Sequence, residues 1–208
     1  MKIVSSLTER YLLILILAHV GFLFTFRNWF PTFIVLMEIM NKSSAALILS
    51  ELSILVIALS ILLLFVKTQI VPALKWMIYG HLFYCPFLFL LFFLGFKIFL
   101  IHASTIYFGM ITFVTRAYIM ALPNEFETKI TSNTISKICI CYALAQMFLV
   151  FPVGYLMEGI HPMGMFGYLF IFPIVMKLSF DRCLIRMKKE FEENESIIEL
   201  LEKWYFQY

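Results

Sequence analysis

Aspartate is all but missing from this chain. Asp181 is the only one in 208 residues, and charged side chains make up 14% of the total. An intramembrane aspartyl protease needs two facing aspartates, so that chemistry is excluded. Glu192-Glu193 lies in the polar tail rather than at membrane depth, which argues against a glutamate-based counterpart. A Gly-x-Ser-x-Gly elbow, a His-Glu-x-x-His zinc site and a phosphate-cradling Gly-rich loop are also missing. The four cysteines (Cys85, Cys139, Cys141, Cys183) show no Cys-x-x-Cys spacing and no histidine at ligand distance. Within apolar spans a cysteine behaves as a small hydrophobe. Catalysis, a bound metal and any other cofactor are therefore not expected. Low-complexity runs are absent too, and the composition does not change sharply before Asp181.

What the chain has instead is apolar length. Hydrophobic residues reach 62%, with 24 phenylalanines, and gather in six stretches: Tyr11–Met40, Ala45–Val66, Pro72–Gly95, Ile98–Leu122, Ile135–Met157 and Met163–Phe180. Runs near twenty apolar residues match a hydrocarbon layer of roughly 30 Å. In lipid every backbone polar group must be satisfied within its own segment, so the stretches are helices. The expectation is an all-α, polytopic membrane bundle of six transmembrane helices over residues 1–180. A cytoplasmic tail, 181–208, follows it. Lys2 and Arg10 precede the first span with no small-x-small cleavage site after it, which predicts a retained signal anchor.

An even number of spans puts both termini on one side. If that side is the cytoplasm, it holds eleven basic residues, among them Lys67, Lys75, Lys129, Lys137, Arg182 and Lys189. Lys42 and Lys97 face out. The positive-inside rule then predicts a multi-pass cell-membrane protein with both termini cytoplasmic. The net charge of +3 reports topology rather than a nucleic-acid partner. In the tail, basic Arg182–Lys189 would lie against anionic lipid, and acidic Glu190–Glu195 follows. Ser196-Ile-Ile-Glu199 fits a capping box that opens a short amphipathic helix. That helix either lies on the inner leaflet or docks a partner.

Ionisable groups inside spans are costly, and each is a functional candidate. Arg27 lies about 24 Å along the first helix, at 1.5 Å per residue. Asn28 follows it, and Pro31 interrupts the hydrogen-bond ladder one turn later. A kink beside a charge and an amide is how transporters turn backbone groups toward a water-filled cavity. Equally, Arg27 can snorkel to the outer headgroups, with Pro31 marking a bend. Glu51 sits roughly 10 Å into the second helix. It is either a proton carrier, paired with Arg27 through tilt or kink, or an interfacial residue among serines. Arg116 is within reach of the cytoplasm or of a loop glutamate, and Glu38 belongs at headgroup level. His19, His81 and Gln146 either line a cavity or bond to a neighbouring helix. Gly154 and Gly159, with Pro152 and Ala143, permit close helix approach.

Four stretches resemble the C-terminal six-helix half of a major facilitator superfamily transporter, and most of all the macrolide-efflux type of drug–proton antiporter. They are Arg27-Asn28-Trp29-Phe30-Pro31, Leu49-Ser50-Glu51-Leu52-Ser53, Gly109 through Pro123-Asn124-Glu125, and Phe151-Pro152-Val153-Gly154-Tyr155. The resemblance covers roughly residues 8 to 180. The loop Lys67–Lys75 differs in lacking the Gly- and Asp-Arg-containing signature of many members. The resemblance implies half of a facilitator fold that pairs with a second copy or a separate six-helix half, and efflux of a small amphipathic or apolar substrate coupled to protons. Arg27, Asn28, Glu51, His81 and Gln146 are then the substrate or proton candidates. Pro31, Pro152 and Gly154 are the kink and packing positions. Two other readings stand beside it: a membrane binding, immunity or regulatory protein without transport, and a remnant with no function of its own.

Overall fold

A computed structural model describes residues 6–63, 69–95, 98–125, 132–159, 161 and 163–192. The amphipathic segment expected from Ser196 lies outside them. All regular structure among the described residues is helical. The elements are α1 (Ser6–Leu36), α2 (Lys42–Leu63), α3 (Ile70–Phe93), α4 (Ile98–Glu125), α5 (Ser132–Leu144), α6 (Phe151–Gly159) and α7 (Gly164–Glu192). A π-helical turn, Ala145–Leu149, joins α5 to α6. Five stretches are long and apolar enough to cross a bilayer, the fifth running from Thr134 to Gly159 through the π-turn. α7 supplies the sixth long helix, and it runs on past Phe180 to Glu192.

α1 is the axis of the bundle. It packs along α7, and α5, α2, the π-turn, α4 and α6 close around it. Its span is 56% buried, whereas that of α2 is 25% buried. The half of the core nearer the turn between α1 and α2 is aromatic. Phe26 stacks on Phe108 at 3.8 Å between ring centroids and on Phe30 at 4.2 Å. The other half is aliphatic, built on Leu12, Leu15, Ile16, Leu74, Ile78 and Ile119. The outward faces are also apolar, as Phe99, Trp76 and Phe151 show at 77%, 73% and 72% exposure. A helix hydrophobic on all sides belongs in lipid rather than in water.

Prolines inside these helices do not end them: Pro31, Pro86 and Pro173 each sit within a continuous helix. The fifth predicted span is the exception, since Ile135–Met157 is two helices and a π-turn rather than one helix. Helix ends are capped by local chemistry. Asn41 Oδ1 accepts from the Ser44 amide and the Ser43 hydroxyl, both at 2.8 Å, so α2 starts at Lys42 instead of Ala45. At the end of α1 the Ile39 amide donates to the Ile34 carbonyl and the Glu38 amide to the Val35 carbonyl. These are the paired bonds of a Schellman ending. It forces Glu38 to φ 57°, a left-handed position that glycine ordinarily fills. Glu38→Gly is therefore expected to stabilise the protein by about 1 kcal/mol, the order of the cost of a side chain in that region. The thermal midpoint in detergent reads this, and an unchanged or lower midpoint contradicts it.

Candidate functional site

Pro31 has no N–H, so the Arg27 carbonyl one turn earlier loses its helical donor. Across from it, the chain carries one residue too many for a regular α-helix just before Pro152, and the excess is taken up as the π-turn. Such turns often accompany functional sites. Carbonyls at its C-terminal end are held by side chains of two other helices. Trp29 Nε1–H donates to the Val150 carbonyl at 2.8 Å, and the Tyr168 hydroxyl donates to the Leu149 carbonyl at 2.9 Å. Thr25 Oγ1 reaches the same Leu149 oxygen at 3.4 Å. The irregular backbone of one wall is thus tied to the irregular segment of α1.

Gly154 makes that tie possible. A Cβ on Gly154 would lie 2.6 Å from Trp29 Cη2, well inside van der Waals contact. The neighbouring approach has the same requirement, since a Cβ on Gly21 would meet Phe172 at 2.5 Å and Leu149 at 2.9 Å. At both glycines the absence of a side chain lets the neighbouring helix come close. Gly159, in contrast, has among the described residues only Tyr155 of its own helix within 4 Å of a Cβ built there.

Between these two walls and the first turns of α2 lies a groove of about 750 Å³. Its polar lining is Arg27, Asn28, Thr32, Lys42 and Gln146. Phe24, Pro31, Val35 and Leu36 give it an apolar face, and Ala45 and Ala46 close its edge. From Phe24 to Leu36 it follows about 18 Å of α1, at 1.5 Å per residue. That exceeds half of a hydrocarbon layer of roughly 30 Å. Arg27, Asn28 and Gln146 are all exposed within it. Among the described residues neither Arg27 nor Lys42 has an ion-pair partner, and no acidic side chain lines the groove.

Three of the five candidate polar residues thus meet, and two do not. Glu51 pairs with His102 across α2 and α4, with His102 Nδ1 2.8 Å from the carboxylate, and not with Arg27. Both side chains are about one-third exposed (36% and 32%). His81 is in the core, bonded through Nδ1 to the Met77 carbonyl of its own helix at 2.7 Å. Its ring stands edge-on to His19 at 5.8 Å. Both imidazoles are buried, and among the described residues neither His19 nitrogen nor His81 Nε2 has a hydrogen-bond partner. Arg116 settles over the Tyr142 ring at 5.1 Å. On the predicted cytoplasmic side, Glu9 of α1 accepts from Lys137 at 2.8 Å and from Thr134 at 2.9 Å on α5. Lys177 and Asp181 pair one turn apart on α7.

Lys42 and His102 are contributors that sequence reasoning does not single out. Asn41-Lys42-Ser43-Ser44 carries a helix-start signature that brings Lys42 onto α2. His102 has no local signal, because only the packing of α2 on α4 brings it to Glu51. Comparison of the chain with protein-family models, with curated proteins and with solved structures gives no match in any of the three.

Proposed function

We propose that this chain is a membrane transport protein of the facilitator-like, half-size kind, which takes a small amphipathic molecule into the groove between α1, α2 and the π-turn. The supporting observation is that groove itself. A cation and two amides are set against apolar walls, on backbone made irregular by Pro31 and by the turn before Pro152. Ligand sites are commonly of this kind, with volumes of roughly 300–1,000 Å³ and a few polar groups fixing orientation. Interrupted helices are also where membrane transporters place their substrate. A six-helix half lines only one side of a path, so transport needs a second half, supplied by a second copy or by another chain. A two-fold axis along the membrane normal would relate two copies.

Oligomeric state in a native-like bilayer tests this, by single-molecule photobleaching of a fluorescently tagged chain. Two-step bleaching, or co-purification with a second six-helix chain, is expected. A strict monomer without such a partner overturns two-half transport. It leaves the same groove to a binding or regulatory protein that does not transport.

A further inference from the structure

The groove's charge is one-sided. Arg27 and Lys42 both line it, without an ion-pair partner among the described residues, and no carboxylate shares the lining. The acids nearest in sequence are turned to other uses. Glu51 is held by His102, and Glu38 occupies the left-handed position that ends α1. Two cations on a wall bounded by lipid are costly without a counter-charge. A guanidinium binds carboxylate or phosphate through parallel hydrogen bonds, and the amides of Asn28 and Gln146 can donate beside it. The apolar lining, Phe24, Pro31, Val35 and Leu36, flanks that polar patch, and from Arg27 to Leu36 the groove runs on for about 14 Å along α1.

From this charge complementarity we infer that the groove's ligand is a single-chain anionic amphiphile, with one carboxylate or phosphate head and one apolar body. The head sits on Arg27, Asn28 and Gln146, and Lys42 draws it in at the mouth. A volume of about 750 Å³ suits one drug-sized molecule better than a two-chain lipid. The inference rests on the groove being the substrate site and adds the chemical class of the substrate.

The test uses the full chain in nanodiscs of zwitterionic lipid with nitroxide-labelled dodecanoate, and follows its immobilised fraction by electron paramagnetic resonance. Saturable binding near one probe per chain is expected, displaced by dodecanoate and by dodecyl phosphate. Dodecanol and dodecyltrimethylammonium, which have the same chain, should not displace it. Arg27→Gln combined with Lys42→Gln should weaken binding by about tenfold or more, as loss of a charge-assisted contact does. Both positions are exposed, so the fold is expected to survive. Glu51→Gln is the matched control and should leave binding unchanged. Displacement by dodecanol as effective as by dodecanoate overturns the anionic assignment and keeps the groove as a site for amphiphiles. Displacement by an anionic two-chain lipid assigns the cations to a headgroup and overturns it too. Binding untouched by the double variant and by Thr32→Trp, which fills the groove, overturns both the ligand class and the site.

Discussion

Gly154→Leu is expected to be among the most damaging single substitutions in this protein. Even the first added carbon would lie 2.6 Å and 2.8 Å from two atoms of the Trp29 ring. That ring is held in place by its own hydrogen bond to the Val150 carbonyl. Overpacking typically costs about 1–3 kcal/mol and occasionally more. Here the shift would also pull the indole N–H from the Val150 carbonyl, adding roughly another 1 kcal/mol. Gly154→Leu should therefore lower folded yield and thermal midpoint sharply, and Gly154→Ala should do so to a smaller degree. The discriminating measurement is a double-mutant cycle with Trp29→Leu. Removing the indole makes room, so Gly154→Ala should cost markedly less on that background. Equal costs on both backgrounds would show that the two side chains do not share this space.

His19→Leu is expected to act in the opposite direction. The imidazole is 1% exposed, and among the described residues neither ring nitrogen has a partner. A buried, unsatisfied polar group costs about 1–3 kcal/mol, so an apolar side chain of similar bulk should raise stability by that order. His81→Leu should gain less, since it gives up the 2.7 Å bond to the Met77 carbonyl. Thermal unfolding of the three proteins in one detergent decides this. A destabilised His19→Leu would mean that the ring's polarity is used in the folded protein. Stability gained together with activity lost would instead identify the pair as a functional element retained at a cost to the fold.

Apolar length is the most legible property of this amino-acid sequence. Each of the six predicted stretches falls on a long helix or, for the fifth, on two joined ones. A span is set by composition over about twenty residues, which one proline or one extra residue hardly changes. Inside a bundle, neighbouring helices and side chains can satisfy the backbone groups a proline frees, so Pro31, Pro86 and Pro173 do not end their helices. Of the extra residue in the π-turn, Pro152 is the only visible sign. The site is half legible. Arg27, Asn28 and Gln146 stand out as polar groups at costly depths, a property of each residue alone. A pairing of Glu51 with Arg27 does not form, because depth along a helix says nothing of rotation about it. Only the packing of α2 on α4 brings His102, rather than Arg27, to that carboxylate. Lys42 is hard to read because it lies outside the apolar run that starts at Ala45. Asn41 caps the helix earlier than that run begins and places Lys42 in its first turn.

The most direct test of the groove as the working site is chemical access to Thr32, which is exposed on its wall. The variant needed is Thr32→Cys with Cys139 and Cys141 changed to alanine and the buried Cys85 and Cys183 retained. Intact cells would be treated with a membrane-impermeant thiol reagent, with and without dodecanoate. Labelling from outside, slowed by dodecanoate and not by dodecanol, is the expected result. Labelling only after the cells are opened, or at a rate dodecanoate does not change, would contradict a ligand groove open to the outer face.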